Sequence, residues 1–467
     1  MSDPSALENT LRSHGQTDVL TMRERLDADR RSQLDRQLEA IDWDELSILI
    51  QGEDEKLDFA DMASRACSPP HVTASGDGAS WSMSDAKAAG EQALRDGKVA
   101  ALLVAGGQGT RLGFDHPKGM FPIGPVSQRT LFEIFADKLK ATSKKYGVEI
   151  PWYIMTSEPT DAETRRYFAK HNHFGIDESL VTIFEQGTMP AVDASSGQVL
   201  MRSDDSLALS PDGHGGTVAA LHRGGILDDC DRRGITLLSY FQVDNPLADL
   251  CAPKLLGHHL LSGSEMTTQV IRKRYPMEKV GNVVSVDDKV CIIEYSDLPQ
   301  SAAEQTDDEG ELRLWAGNIA VHVFDVAFLR RMAEEKGSLP FHRANKKVAH
   351  VMPSGGSVHP DEPNAVKFEK FIFDLLPKAK NAFVVECLPE EAFAPVKNAD
   401  GADNDTPHLA KEAISNLHAR WLRDSDVEVA DGVSVEIHPE VTIDGETWDA
   451  DVHHSGGVDE DRFIVAR

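Results

Sequence analysis

The sequence predicts an α/β protein with a mostly parallel β-sheet, and three observations indicate this fold class. From residue 99 onward, short apolar segments alternate with amphipathic segments, which is typical of strands joined by crossover helices. Of the 467 residues, 40% are hydrophobic and 27% are charged, as in folded globular proteins. The longest apolar run, Val99 to Ala105, is far shorter than the roughly 20 residues of a membrane-spanning helix.

Residues 1–95 are predicted to form a helical accessory region ahead of the sheet. Leu34 and Leu38 recur at the spacing of one helical face. Ser82 and Asp85 form a capping-box pattern, which predicts that a further helix begins there. The stretch between these helices is rich in Pro, Gly and Ser and is interpreted as a connector.

Residues 96–400 are predicted to form the domain that carries the sheet. Its helices include Thr130–Tyr146 and Thr217–Arg232, and a hairpin is predicted around Asp287 and Asp288. Because ligands of such sheets bind beyond the carboxyl ends of the strands, the segments that follow each strand form the candidate site. The predicted strands are Val99–Ala105, Trp152–Thr156, Val181–Phe184, Ile235–Val243, Met266–Ile271, Leu314–Phe324 and Ala382–Leu388.

Residues 401–467 are predicted to form a small C-terminal α/β element. A helix is expected over His408–Arg423. Short strands are expected over Val433–Ile437 and Val441–Ile443, and these would complete a terminal β element.

The charge of the chain limits its partners. The 48 Lys and Arg residues and 77 Asp and Glu residues give a formal charge of −29, which disfavours nucleic acid and anionic membranes as partners. The first residues contain no apolar core of a signal peptide, and the five cysteines are scattered without a Cys-x-x-Cys pair, which favours a reducing compartment. We therefore expect a cytoplasmic protein, and we expect it to be a monomer or a weak oligomer. Because the net charge is negative, a site for an anionic ligand requires a local cluster of Lys and Arg.

A glycine-rich loop directly after the first predicted core strand is the strongest functional signal. Ala105, Gly106 and Gly107 begin this loop, and Arg111 and Lys118 follow. Glycines let backbone N–H groups approach phosphate oxygens closely, while Arg and Lys supply positive charge to the same anion. The spacing matches neither the G-x-G-x-x-G motif of dinucleotide-binding folds nor the P-loop. A tight turn with ordinary surface cations is the structural alternative.

The loop and the Pro117-Lys118-Gly119 sequence after it resemble the nucleotide signature of the sugar-1-phosphate uridylyltransferases, and within them the UDP-N-acetylglucosamine pyrophosphorylases. Further segments resemble this family in the same order along residues 99–400. They are Trp152–Ser157, Gln186–Gly187, Pro211–Gly213, Val243–Asn245, Ala316–Ile319, Lys367–Phe371 and Leu388–Asp400.

This resemblance implies a Rossmann-like nucleotidyltransferase core that forms UDP-sugar and pyrophosphate from UTP and a sugar 1-phosphate, with Mg²⁺ as cofactor. N-acetylglucosamine 1-phosphate is the expected sugar substrate, and glucose 1-phosphate or a broad range of sugars is the alternative. Two functions from other classes stay open: a dinucleotide-dependent oxidoreductase and a noncatalytic nucleotide-binding protein. The missing G-x-G-x-x-G motif disfavours the first, and the presence of Asp244, Lys118 and Lys397 disfavours the second.

Asp244 follows a predicted strand and is the candidate metal ligand. A carboxylate at the carboxyl edge of the sheet is suited to Mg²⁺, but Pro246 also fits the start of a helix that Asp244 would cap. The residues alone favour neither role, whereas the resemblance implies the metal. Asn245 is expected to support this turn rather than to bind a ligand.

The resemblance also implies roles for the other candidate residues. Arg111, Lys118 and Lys397 are expected to be catalytic, because they would hold the phosphates that meet at the reaction centre. The implied UTP-binding residues are Ala105, Gly106, Gly107, Lys118, Gln186, Gly213, Asp244 and Lys367. The implied sugar-binding residues are His214, Gly281, Glu294, Asn318, Phe371, Phe373 and Lys397.

Lys367 and His214 each have an alternative of their own. Lys367 begins a predicted helix with an apolar stripe that includes Phe368 and Phe371, and this stripe fits simple core packing. At the place of His214, the acetylamino-sugar enzymes of the family carry Asn, whereas the glucose-specific relatives carry His. His214 is expected to face the sugar or the base, or to be a structural histidine of the loop. This departure leaves the sugar specificity open without affecting the chemistry.

Overall fold

The structure of the protein is a computed structural model that describes residues 4–52, 58–335, 337–448 and 457–465. The α-helices are, in chain order, α1 (Pro4–Ser13), α2 (Thr17–Arg23), α3 (Ala28–Glu39), α4 (Trp43–Gln51), α5 (Phe59–Arg65), α6 (Met83–Arg95), α7 (Leu131–Tyr146), α8 (Glu158–Lys170), α9 (Thr217–Arg223), α10 (Ile226–Arg233), α11 (Pro253–Ser262), α12 (Gln300–Ala303), α13 (Val326–Glu334), α14 (Pro389–Ala392) and α15 (Pro407–Asp424).

The strands are, in chain order, β1 (His71–Val72), β2 (Val99–Val104), β3 (Trp152–Thr156), β4 (Val181–Glu185), β5 (Thr188–Pro190), β6 (Val192–Asp193), β7 (Met201–Ser203), β8 (Ser206–Leu207), β9 (Leu209–Pro211), β10 (Leu237–Gln242), β11 (Met266–Arg272), β12 (Gly281–Val286), β13 (Lys289–Ile293), β14 (Ala316–Asp325), β15 (His342–Lys346), β16 (His350–Val351), β17 (Ser357–Val358), β18 (Ala365–Glu369), β19 (Phe383–Glu386), β20 (Val435–Ile437) and β21 (Arg462–Ile464). No helix in the described ranges is both long and apolar enough to cross a membrane.

One compact unit, which we call the sheet unit, consists of Asp58–Glu185, Val218–Ser338 and Phe373–Arg467. Its large sheet has the strand order β1-β19-β11-β14-β10-β2-β3-β4, and β12 and β13 extend from β14. The strands β10, β2, β3 and β4 are mutually parallel, as are β1, β19 and β11. Because β14 runs antiparallel to both β10 and β11, the two parallel groups point the same way and their carboxyl ends meet at one edge. The mostly parallel sheet predicted from the sequence is therefore confirmed.

Aromatic packing holds the helices α7 and α8 to this sheet. Phe132 and Phe135 of α7, Phe168 of α8 and Trp152 of β3 are fully buried in one hydrophobic cluster, and the ring centroids of Phe132 and Phe168 lie 5.0 Å apart. Truncating one such ring to alanine costs about 3–5 kcal/mol of folding free energy in typical cores. The helix α7 begins at a capping box formed by Thr130 and Glu133, and its aromatic packing places it against the sheet.

The second compact unit, which we call the helix unit, consists of Met1–Leu57, Gln186–Thr217 and Leu339–Ile372. Its small sheets have the orders β15-β18-β6, β17-β16-β7-β8 and β5-β9. The helices α1 to α4 pack on them through one buried cluster that includes Leu11, Leu34, Leu38, Leu46, Val199, Met201, Leu207 and Phe368. The division into functional regions at residues 95 and 400 stays a prediction.

The predicted core strands all overlap observed strands, but several neighbouring elements differ. The helix predicted over Thr217–Arg232 is two helices, because Gly225 adopts a left-handed conformation with φ 69° between them. Residues 441–443, which the structure describes, do not form the predicted strand, and β20 pairs instead with β21. This pairing joins distant parts of the chain, so local pattern could not reveal it.

Two further elements near the candidate site also differ from the prediction. Lys367 does not begin a helix but lies inside β18, which pairs with β15 and β6. A short apolar stripe fits a helix or a strand equally well, and here the strand partners decide. No helix begins at Pro246, because the next helix, α11, begins at Pro253.

Candidate active site

The glycine-rich loop folds back on itself directly after β2. The Gly109 N–H donates to the His116 carbonyl at 2.9 Å, and the Lys118 N–H donates to the Gly107 carbonyl at 3.0 Å. The Ser157 hydroxyl at the end of β3 donates to the Gly106 carbonyl at 2.6 Å. The two backbone bonds pair the two arms of the loop in an antiparallel way at the carboxyl edge of the sheet, and they bring Lys118 beside Gly107.

Lys118 lies at the centre of a charge cluster at this edge. Its ammonium donates to the Val396 carbonyl at 3.1 Å. Burial lowers the pKa of Lys118, the carboxylate of Asp244 opposes this shift, and the charges of Lys397 and Arg111 add to it. The structure therefore brings together the three predicted catalytic cations and the predicted metal ligand. In a chain with a formal charge of −29, this is the local cluster of basic residues that an anionic ligand requires.

Asp244 lies in the turn after β10 and is partly exposed. The preceding Val243 N–H donates to the Val104 carbonyl at 3.0 Å, so Asp244 stands next to the start of the glycine-rich loop. Because no helix starts at Pro246, the cap role considered for Asp244 is wrong. A lone carboxylate fits Mg²⁺, which is commonly held by one or two carboxylates together with substrate phosphates and water. Within the described ranges no group of three or more His, Cys, Asp or Glu side chains forms a metal cage.

Lys397 is held by a loop that includes a residue missed at the sequence level, Asp405. The Lys397 N–H donates to the Asp405 carbonyl at 2.8 Å, and its ammonium lies 5.7 Å from the centre of the Phe393 ring. Burial raises the pKa of Asp405, and the cations of Lys397 and Arg274 oppose this rise. The sequence offered only a weak signal for Asp405, which lies just beyond the Leu388–Asp400 motif in a stretch with several acidic residues.

Gly281, Glu294 and Asn318 also lie together in the sheet unit. Gly281 of β12 is the register partner of Asn318 of β14, and a Cβ added at Gly281 would come within 3.0 Å of the Glu294 carboxylate. Only glycine leaves this space open. Behind them, Lys273 donates to the Asn282 side chain at 2.6 Å, and burial lowers the pKa of Lys273 to about 8.

Gln186, Gly213 and His214 belong to the helix unit. The Gln186 amide nitrogen donates to the Asp212 carboxylate and to the Gly213 carbonyl, both at 3.4 Å. Gly213 has a φ of 83°, and a Cβ there would come within 2.4 Å of the Lys370 carbonyl, so the turn requires glycine. This turn holds the Gln186 amide next to the His214 loop.

The imidazole of His214 is oriented by its neighbours. Its Nδ1 accepts the Ile372 N–H at 3.1 Å, so the proton of the neutral ring is on Nε2. The ring stacks on the Phe371 ring, with the two ring centroids 5.3 Å apart. The centroids of the Phe371 and His342 rings lie 4.4 Å apart. His342 was missed at the sequence level. Lys367 is partly exposed in β18, and Phe373 of the sheet unit is buried.

A partly buried lysine, Lys138 of α7, supports the turn that follows Asp244. Its ammonium donates to the carbonyls of Pro246 and Ala248 at 2.8 and 2.9 Å. Burial lowers the pKa of Lys138 to about 8, with the carboxylate of Asp249 opposing the shift. The sequence suggested that a helix begins at Pro246; instead, these residues form a turn whose carbonyls bind the Lys138 ammonium.

This lowered pKa predicts a pH dependence of folding stability. The pKa of Lys138 is about 8 in the folded protein, whereas the pKa of an unfolded lysine is about 10.4. Between these two pH values the unfolded chain binds one more proton than the folded protein, so the contribution of Lys138 to the free energy of unfolding rises with pH. This contribution is lost as the pH falls through the folded pKa. Urea unfolding at pH 7.5 and 9.5 should show that Lys138→Met loses this pH-dependent part, whereas the exposed-site variant Lys411→Met keeps it. An unchanged pH difference in Lys138→Met would contradict the buried-ammonium assignment.

The family model of UTP–glucose-1-phosphate uridylyltransferase matches residues 53–424 of this chain. The chain belongs to this uridylyltransferase family. The resemblance seen in the sequence motifs is therefore confirmed, and the oxidoreductase alternative is wrong.

Curated relatives place the chain within this uridylyltransferase family more closely. It is 41% identical over 366 residues to the UDP-N-acetylglucosamine pyrophosphorylase of Saccharomyces cerevisiae, covering 76% of each chain. It is 34% identical over 443 residues to UDP-N-acetylglucosamine diphosphorylase 1 of Arabidopsis thaliana, covering 90% of this chain and 84% of the relative.

Solved structures share the fold of this uridylyltransferase. The uridine diphosphate N-acetylglucosamine pyrophosphorylase of Trypanosoma brucei, solved with an inhibitor, matches with a TM-score of 0.81 at 26% identity over 96% of this chain and 94% of that chain. A UDP-glucose pyrophosphorylase mutant of Leishmania major matches with a TM-score of 0.60 at 17% identity over 79% of this chain and 77% of that chain, and this similarity shows the fold alone.

Proposed function

We propose that the protein transfers the uridylyl group of UTP to N-acetylglucosamine 1-phosphate and releases pyrophosphate. The observation that carries this proposal is the convergence of Arg111, Lys118 and Lys397 with Asp244 at one edge of the sheet. The family membership supports the reaction, and the names of the relatives at 41% and 34% identity support the acetylamino sugar.

The reaction needs positioning and charge neutralisation rather than a general base. The second ionisation of a phosphate monoester has a pKa of about 6, so the sugar phosphate is ionised near neutral pH. One of its oxygens attacks the α-phosphorus of UTP in line; the new P–O bond forms as the bond to the bridging oxygen of pyrophosphate breaks. Charge builds on the phosphate oxygens, and cations aimed at them lower the barrier.

The residues of the sheet unit supply that charge and geometry. The backbone N–H groups of the glycine-rich loop, with Arg111 and Lys118, bind the phosphates of UTP. Lys118 exchanges its hydrogen bond to the Val396 carbonyl for a phosphate oxygen. Lys397 binds the phosphates that meet at the reaction centre. Asp244 would hold Mg²⁺, which neutralises phosphate charge when bound.

The remaining predicted residues select the base and the sugar in this proposal. Gln186 and the Gly213 backbone recognise the uracil edge, because the amide side chain both donates and accepts hydrogen bonds. Gly281, Glu294 and Asn318 supply hydrogen bonds and space for the sugar hydroxyls. His214, Phe371, Phe373 and Lys367 complete the sugar and nucleotide contacts that the family resemblance implies.

Pyrophosphate release with UTP, Mg²⁺ and a panel of sugar 1-phosphates tests the proposal. We expect N-acetylglucosamine 1-phosphate to give the highest kcat/KM, with glucose 1-phosphate accepted less well. Strict use of glucose 1-phosphate would overturn the sugar assignment. The absence of pyrophosphate release with every sugar would overturn the enzymatic function and favour a noncatalytic nucleotide-binding protein.

His214→Asn is expected to shift the preference further toward the acetylated sugar. In His214 the Nδ1 atom is already bound to the Ile372 N–H, so a substrate can meet the ring edge only through Nε2–H, whereas an Asn amide offers a donor and an acceptor at one end. One hydrogen bond is worth about 0.5–1.5 kcal/mol, which is about a two- to tenfold change in the ratio of the two kcat/KM values. The exposed His359→Asn variant is the control. An unchanged ratio would show that His214 does not touch the sugar.

A further inference from the structure

The chain segment that leads to Lys397, residues 392–396, is attached to the end of β10 by the side chain of Asn245. The Asn245 amide nitrogen donates to the Ala392 carbonyl at 2.7 Å, and its amide oxygen accepts the Ala394 N–H at 3.1 Å. In a parallel sheet, one residue makes this pair of bonds through its own backbone with the residues on either side of its neighbour. The Asn245 side chain therefore imitates a backbone peptide group.

The backbone of Asp244 makes a third hydrogen bond to the same segment. The Val396 N–H donates to the Asp244 carbonyl at 2.8 Å, and the Val396 carbonyl accepts from the Lys118 ammonium. The segment is thus held against the turn after β10 by three hydrogen bonds. Asp244, Lys118 and Lys397 are linked through it by bonds of ordinary length.

Asn245 is placed to support the site rather than to touch a ligand. It is only 2% exposed, and both its oxygen and its nitrogen bind the 392–396 segment. The segment itself is buried, with Ala392, Ala394 and Val396 at 6%, 8% and 0% exposure. Breaking the Asn245 bonds would leave a buried N–H and a buried carbonyl without partners, which is unfavourable, so the segment would shift to satisfy them.

We propose that Asn245 is the positioning residue that holds the Lys397 ammonium in register with the Asp244 carboxylate. This proposal rests on the proposed function of Lys397 and Asp244. A shift of about 1 Å at the reaction centre can lower the rate about 100-fold. Losing a residue that orients metal ligands typically costs about 10- to 100-fold in activity, and Asn245 orients a segment that bonds directly to the backbone of the proposed ligand Asp244. We therefore expect Asn245→Leu, which keeps the volume and removes both bonds, to lower kcat/KM by about 10- to 100-fold.

A double-mutant cycle separates this role from a general loss of stability. We measure kcat/KM for pyrophosphate release in wild type, Asn245→Leu, Lys397→Ala and the double variant. If Asn245 acts by placing Lys397, the Asn245→Leu substitution should lower kcat/KM by less than about threefold in the Lys397→Ala background. The inference would be overturned if Asn245→Leu lowered kcat/KM by the same factor in the wild type and in Lys397→Ala, while Lys397→Ala itself caused a large loss. A Lys397→Ala variant that keeps more than half of the activity would instead overturn the proposed function of Lys397.

Two further measurements complete the test. Asn364 in the helix unit also exchanges side-chain bonds with a backbone segment, at Val348, so Asn364→Leu should be additive with Lys397→Ala. The Mg²⁺ concentration for half-maximal activity should change little in Asn245→Leu. A rise as large as that in Asp244→Asn would identify Asn245 as a metal ligand and overturn the positioning role. Should Asn245→Leu not fold, Asn245→Ala is measured in its place, since the smaller side chain leaves room for water, and the same outcomes decide.

Discussion

Replacing Lys118 by alanine is expected to lower kcat/KM for pyrophosphate release by a factor of about 10²–10³, the usual cost of removing a group that faces developing charge. The ammonium lies inside the charge cluster with Asp244, Lys397 and Arg111, so its loss removes one of the three cations of the proposed phosphate site. Lys411→Ala removes a lysine that is paired with Gln128 on the exposed surface and serves as the control. A Lys118→Ala enzyme with more than half of the wild-type kcat/KM would show that Lys118 does not face the substrate.

The lowered pKa of Lys118 adds a second readout to the same residue. In its proposed role, the Lys118 side chain would bind phosphate only in its protonated form, so activity should fall as the pH rises through a pKa that lies below the ordinary lysine value. In Lys118→Arg the guanidinium stays charged at all accessible pH values. The residual activity of this variant should therefore decline at a higher pH than that of the wild type. Coincident alkaline limbs would assign the decline to another group.

The Asp244→Asn variant is expected to need at least about tenfold more Mg²⁺ for half-maximal activity, because it keeps the size of the side chain but removes the charge that attracts the cation. The structure gives Asp244 no helix to cap, so a loss of helix stability cannot account for such a change. Asp27→Asn, at a true helix start where the carboxylate accepts the Arg30 N–H at 3.0 Å, is the matched control. Superimposable Mg²⁺ titrations of Asp244→Asn and wild type would remove Asp244 from the metal site.

The two predictions concern different parts of one charge arrangement. In the proposed mechanism, Lys118 and Lys397 would neutralise phosphate oxygens directly, while Asp244 would act through a bound cation that also contacts the phosphates. Loss of Lys118 should therefore persist at saturating Mg²⁺, whereas part of the loss in Asp244→Asn should be recovered there. Recovery in both variants would mean that added Mg²⁺ can replace the charge of Lys118, contrary to a direct contact between Lys118 and the phosphates.

Much of this protein follows from the sequence by itself, because its strongest signals are local. The buried strands β2 and β3 are short, continuous apolar runs, which together with the amphipathic segments between them are typical of parallel strands. The glycine-rich loop with Lys118 follows one strand directly, and Asp244 follows another. Since the carboxyl ends of parallel strands meet at one edge, the proximity of Lys118 and Asp244 is predictable from the strand pattern alone.

The tertiary structure decided what depends on pairing between distant segments. The strand that contains Lys367 fits a helix equally well until β15 and β6 are present as partners. The role of Asn245 depends on residues almost 150 positions later in the chain, so no local pattern could indicate it. Local steric preferences and hydrophobic periodicity depend on residues that are close together in the chain, so the sequence is enough to recognise them. Hydrogen bonds across long sequence separations form only when the whole fold brings their partners together.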